Sequence, residues 1–196
     1  MDEQNSILSH AAYFLHIRII AGIFVSLCMS KILMDLTRYI QFPTRYKLNY
    51  LHIIWLITFS LAIIEWWWGV FEWSHILSFS YSSYIFVVLY AFSFYFLASL
   101  ITPGDLPDHE SFDQYFMDIR RWFYFFFALN ILISNFDFFL NDRATLDDRV
   151  DLFLALVMCA FFLFAARSHR AYIQRIIASI ILVLQVLVMV GDFFIS

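Results

Sequence analysis

The fold class predicted here is all-α: a polytopic integral membrane protein, a bundle of six transmembrane helices with both termini on the outer side. Three observations predict it. The 196 residues are 63% hydrophobic and only 14% charged, whereas a water-soluble domain is nearer half apolar and a quarter charged. The apolar residues gather into six segments near the length of about 20 that a spanning helix needs. Lys and Arg are concentrated in alternate connections between those segments. With a mean hydropathy of +0.77, folding in water would leave much apolar surface uncovered, so the lipid bilayer is the chain's solvent and first partner. No basic tract points to nucleic acid. The chain reads as a single transmembrane domain, 1–196.

The first span, 11–33, follows the acidic, polar stretch MDEQNSILSH. That stretch lacks the basic region of a cleavable leader, so the segment is expected to be a retained helix. It can run on to about residue 41, where Pro43 in QFPTRYK stops it. Lys31, Asp35 and Arg38 have i, i+4 and i, i+3 spacing for mutual support at its end. Spans two and three are placed at 50–72 and 78–101. Pro103 and Gly104 end the third and open a hydrophilic loop, 103–119. Spans four, five and six follow at 121–141, 150–166 and 172–194.

Orientation follows from the connections. Arg38, Arg45 and Lys47 mark the first, Arg120 and Arg121 the third, and Arg167, Arg170 and Arg175 the fifth. The fourth holds only Arg143 and Arg149, and the second holds none. Basic residues near span ends favour the cytoplasmic side. Connections one, three and five are therefore placed there.

Intramembrane polar residues carry the functional reading. In IEWWWGVFEW, Glu65 lies roughly 10 Å inside the outer end of span two, at 1.5 Å per residue. Helical phase sets Glu65, Trp68, Gly69 and Glu72 on one face. Trp66, Trp67 and Trp73 fit an interfacial aromatic belt. Arg18 lies at a similar depth on span one, sharing its face with Ala11, Ala21 and Gly22, small residues that favour close helix approach. An unpaired charge there costs on the order of 3 kcal/mol or more, so Arg18 and Glu65 are expected to form an intramembrane charge pair, either functional or a packing lock.

Span four adds a stripe of Asn130, Ser134, Asp137 and Asn141, and span six adds Gln174, Gln185 and Asp192. Span three adds Ser82 and Ser93 with Tyr84 and Tyr95. These suggest an outer-half polar pocket around Arg18, Glu65 and Asp137, with Asn130, Ser134, Trp68 and Gln185, that binds or conducts an ion or small molecule. Ordinary interhelical hydrogen bonds account for the uncharged members equally well.

No catalytic motif of the HExxH, paired CxxC or G-x-S-x-G type occurs, so no catalytic residue is assigned. Cys28 and Cys159 read as buried small hydrophobes. His16 and His75 are the pair a bis-histidine haem would use, and no cofactor is assigned. The run DLPDHESFD gathers Asp105, Asp108, His109, Glu110 and Asp113, but without EF-hand spacing; solvation explains it, and no metal is assigned.

The segment AYFLHIRIIAGIFVSLCMSKILMDLTRYIQFP, the Trp-rich second span and RRWFYFFFAL together resemble bacterial multi-span proteins of unknown function over the first two-thirds of the chain. The resemblance implies a bacterial inner-membrane location and assigns no activity to any residue. Three functions follow as expectations. The first is a transporter, channel or sensor, more in keeping with a non-enzyme. The second is a structural or assembly subunit of a membrane complex, joined to copies of itself or to a partner subunit. The third is a membrane enzyme or haem protein.

Overall fold

The structure, a computed structural model, describes residues 2–76, 81–104, 111–135 and 146–195. The described residues are helical throughout, apart from short connections. The helices are α1 (Asp2–Gln41), α2 (Tyr50–Ile76), α3 (Tyr81–Ile101), α4 (Phe112–Ser134), α5 (Leu146–Arg167) and α6 (Ala171–Ile195).

Five of the six are long and apolar enough to cross a membrane: Ala12–Gln41, Tyr50–Val70, Tyr84–Ile101, Arg149–Arg167 and Ala171–Gly191. The chain is a multi-pass helical membrane protein. α4 is not among the five. Its first turns carry Asp113, Asp118, Arg120 and Arg121, and the last six residues of the sequence-predicted span 121–141 lie outside the described residues.

Local chemistry accounts for the helix ends. α1 continues to Gln41 and stops two residues short of Pro43, because the residue before a proline is driven out of the helical region. α4 starts at Phe112, well inside the predicted hydrophilic loop. Ser111 and Gln114 form a capping box there, the Ser111 hydroxyl accepting from the Gln114 N–H and the Gln114 side chain accepting from the Ser111 N–H.

α2 is the axis. It packs on α1, α3, α4 and α6, while α1 also packs on α3, and α4 on α3 and α5. In α2's spanning window 44% of residues are buried, against 17% in α5's, so α5 presents mainly lipid-facing surface. The core around α2 is aromatic. Trp55 meets Phe123 at 4.7 Å between ring centres, Phe127 and Phe162 stack at 4.6 Å, and Phe59, Phe116 and Tyr124 fill between them. Lipid is as apolar as these side chains, so packing contacts and interhelical hydrogen bonds, rather than escape from water, hold the helices together. Each aromatic pair adds about 0.5–1.5 kcal/mol.

Helical phase in the tryptophan run differs from the sequence reading. Trp66, expected in the lipid-facing belt, is 8% exposed and packs edge-on against Tyr90 of α3 at 5.6 Å and tilted against Phe94 at 5.3 Å. Trp68 is instead 64% exposed. The reason is α3, which covers the Trp66 face of α2 with its own aromatic row.

Candidate functional site

Glu65 sits half-buried on α2, and its carboxylate accepts a hydrogen bond from the Gln185 Nε2 of α6. α2 and α6 are extensively packed neighbours, and Tyr50 and Ser179 meet at 3.3 Å farther along the same seam. Gln185 and Glu65 are thus two of the expected pocket residues that the fold brings together. Arg18 is half-buried on α1, its guanidinium 5.7 Å from the centre of the Phe14 ring. The α1–α2 approach is close: a Cβ at Gly22 would stand 3.3 Å from the Trp67 ring, and Ala21 is fully buried.

The stripe on α4 goes elsewhere. Asn130 is buried against α3, its Nδ2 donating to the Ser93 Oγ at 2.7 Å. Ser134 is exposed and returns its hydroxyl to the Ile131 carbonyl, and Asn135 does the same with its amide. Asn130 therefore serves the α3–α4 seam and Glu65 the α2–α6 seam. Asp137 and Asn141, and the side chains of Glu72 and Asp192, lie outside the described residues, as do those of His75 and His109. His16 stacks on Tyr84 of α3 at 5.9 Å.

A denser cluster occupies the opposite end of the bundle. It lies where α1 and α3 end and α2 and α4 begin; the sequence predicts its Asp35–Arg38 contact but not the His52 and Tyr39 side chains that join it. Asp35, 5% exposed, pairs through Oδ1 with Arg38 at 2.7 Å. Its Oδ2 lies 3.3 Å from His52 Nε2. Arg38 also donates to the Pro103 carbonyl, at 2.9 Å, and the Ile101 carbonyl lies 2.9 Å from His52 Nε2. Two acceptors at Nε2 place the proton of the neutral ring there. Nδ1 then accepts from the Tyr39 hydroxyl, at 2.5 Å. Phe112 stacks on the His52 ring at 3.9 Å.

Tyr115 of α4 donates to the Leu100 carbonyl at 2.8 Å. Burial, and then the charge of Asp35, push its phenol up from the usual range, so it stays a neutral donor. Lys31 does not join this group as spacing suggested. It lies over the Tyr95 ring of α3 at 5.4 Å, where the ammonium gains a cation–π contact.

The same end holds the α4–α5–α6 junction. Gln174, fully buried, donates to the Ala165 and Ser168 carbonyls at 2.9 and 3.1 Å and accepts from the Tyr124 hydroxyl at 2.6 Å. Asp113 pairs with Arg175 at 2.5 Å. Beside them, Asp113, Gln114, Met117, Asp118 and Ala171 line a shallow recess of about 380 Å³. No group of three or more metal-ligating side chains occurs among the described residues.

No family model, curated protein or solved structure matches the chain. Residue geometry alone therefore carries the functional reading.

Proposed function

We propose that this multi-pass membrane protein is a non-enzymatic transporter or sensor with all six helices spanning a bacterial inner membrane and both termini outside. It takes an ion or small polar molecule in a pocket in the outer half of the bundle. Arg18 and Glu65 are its charges, Gln185 its orienting amide and Asp137 a further acceptor. The observation that carries this reading is the Glu65 carboxylate, set inside a spanning helix and hydrogen-bonded to Gln185 across a helix seam. Carboxylates within spanning segments mark ion or substrate sites by default. The orientation is supported by the Arg38–Pro103, Arg120–His169 and Arg175–Asp113 contacts, which gather the three basic connections at one end of the bundle.

The test titrates the purified full chain with sodium, potassium and calcium chloride at matched ionic strength, following thermal stability. Native mass spectrometry looks in parallel for a retained small molecule. At least one saturable response or bound species is expected, and E65Q is expected to lose it while keeping its helical content. A folded E65Q protein that responds as the wild type does would remove Glu65 from the site. No response and no bound species would leave the assembly-subunit reading in its place.

A further inference from the structure

The Arg120 guanidinium is a buried cation without a buried anion. Arg120 is 7% exposed on the first turns of α4. Its Nη1 donates to the Met117 carbonyl, and its Nη2 meets the ring of His169, Nδ1 at 2.6 Å and Nε2 at 3.2 Å. Its Nε is buried with no partner. Among the described residues no carboxylate lies within ion-pair distance of it. Burial and the charge of neighbouring Arg121 push its pKa down, and exposed Asp118 opposes that only in part.

Its hydrogen-bond partners are a carbonyl and an imidazole ring, so that its buried positive charge is offset only in part, by exposed Asp118. Such an arrangement is costly. Three further arginines lie close to His169 in sequence: Arg167 at the end of α5, Arg170 on the connection and Arg175 on α6. Arg175 is already engaged by Asp113.

His169 is the exposed element of this arrangement. It sits on the three-residue connection between α5 and α6, and its ring caps the guanidinium from the solvent side. Nδ1 can accept from Arg120 only while it carries no proton. The contact is thus a neutral stopper on a cationic site, held by one hydrogen bond from a short exposed segment.

We infer that Arg120 is the floor of a binding site for a phosphate group, and that His169 is a cover displaced when the phosphate enters. A phosphate oxyanion supplies what the site lacks: a negative charge, and acceptor oxygens for Nη2 and the orphaned Nε. Arginine's planar fork suits that geometry. The phosphate can belong to the headgroup of an anionic phospholipid or to a free phosphate, because both present the same oxygens.

Two arms distinguish the sources. In one, inorganic phosphate is titrated against the full chain in phosphatidylcholine nanodiscs at matched ionic strength, reading thermal stability. In the other, nanodiscs containing phosphatidylglycerol are dissociated in native mass spectrometry, reading retained lipid. A saturable response to inorganic phosphate identifies a free phosphate. Retention of phosphatidylglycerol with no such response identifies a headgroup.

In either case R120Q abolishes binding and R121Q leaves it largely intact. H169A tightens it about fivefold, the worth of one competing hydrogen bond. Binding in neither arm overturns the proposal. So does equal weakening by R121Q, R167Q, R170Q and R120Q, which would signify diffuse attraction to a basic surface. Should R120Q fail to fold, H169A decides: unchanged or weakened affinity in that variant also overturns it.

Discussion

Asp35 divides its charge unequally, and a double-mutant cycle should show it. Its Oδ1 contact with Arg38 is 2.7 Å long and charge-assisted, the kind worth about 1.5–3 kcal/mol. Its Oδ2 contact with His52 is 3.3 Å long. The Nε2 proton has a closer acceptor in the Ile101 carbonyl, at 2.9 Å, which leaves about 0.5 kcal/mol or less for Asp35. The Arg38 side chain is 25% exposed and keeps the Pro103 carbonyl. D35N alone should therefore cost about 2–3 kcal/mol, below the 3–5 of a fully buried pair.

The assay is reversible SDS unfolding in mixed micelles, read by labelling of Cys28 and Cys159. Both thiols are free and buried, so they react when the bundle opens. The D35N/R38Q cycle should return a coupling near 2 kcal/mol, and the D35N/H52A cycle about a quarter of that. Additive losses for Asp35 and Arg38, or equal coupling to both partners, would refute this division of the charge.

Three further outcomes follow from the same contacts. G22A should be tolerated at about 1 kcal/mol or less, because the approaching Trp67 ring can yield a few tenths of an ångström. G22L should cost several times more, since it forces α1 off α2; equal effects in thermal unfolding would place the α1–α2 contact elsewhere. Y124F leaves the buried Gln174 carbonyl oxygen without its donor and should cost about 1–3 kcal/mol, measured by SDS titration, with a neutral result arguing against that bond. R175Q, whose side chain is 46% exposed in its pair with Asp113, should cost about 1 kcal/mol or less and become neutral at high salt; a large salt-independent loss would show the pair to be buried.

The fold was legible where the sequence carried a one-dimensional signal. Apolar length marked the helices, Pro43 marked the end of α1, and the alternation of basic connections matches the end at which they gather. Ser111 and Gln114 also spelled out the start of α4, but the surrounding acidic residues made that stretch read as loop.

The candidate site was legible in part. Glu65 stood out because a carboxylate in an apolar run demands a partner, whether for function or as a packing lock, and Gln185 lay on the polar face of its helix. The partner of each was not readable, since phase gives a face and not which neighbour covers it. Trp66 shows the same limit, for α3 hides the face that a belt would have turned to lipid. The Asp35–Arg38 contact was readable from its spacing, but the meeting of Asp35 with His52 was not, for a different reason. Both are close to helix ends, where a charged residue usually signifies solvent, and only the convergence of four helix ends buries them.

The separation of these polar groups constrains how the protein can work. His52 and Glu65 are 13 residues apart on α2, roughly 20 Å along a helix axis. The polar side chains of α2 between them are spent locally, Thr58 donating to the Ile54 carbonyl and Ser60 to the Leu56 carbonyl. Trp55, whose indole N–H has no partner, and Phe59 fill the remaining space with Phe116, Phe123, Tyr124 and Phe127 of α4 and Phe162 of α5. Along this face of α2 the described residues offer a hopping proton no acidic or basic side chain, and a hydrated ion little more than the Trp55 N–H and the Tyr124 hydroxyl, which is already bonded to Gln174. The α2–α4 interface is thus aromatic and closely filled between the two polar groups. Under the proposed orientation, this interface separates a ligand at Glu65 from the inner end of α2. Cargo could cross along this interface only if α4 withdrew its aromatic row from α2, a movement that would also disturb the Phe112 stack on His52 and the Tyr115 bond to α3. A sensor needs no such opening. The packing of α4 on α2 is therefore where transport and sensing would part.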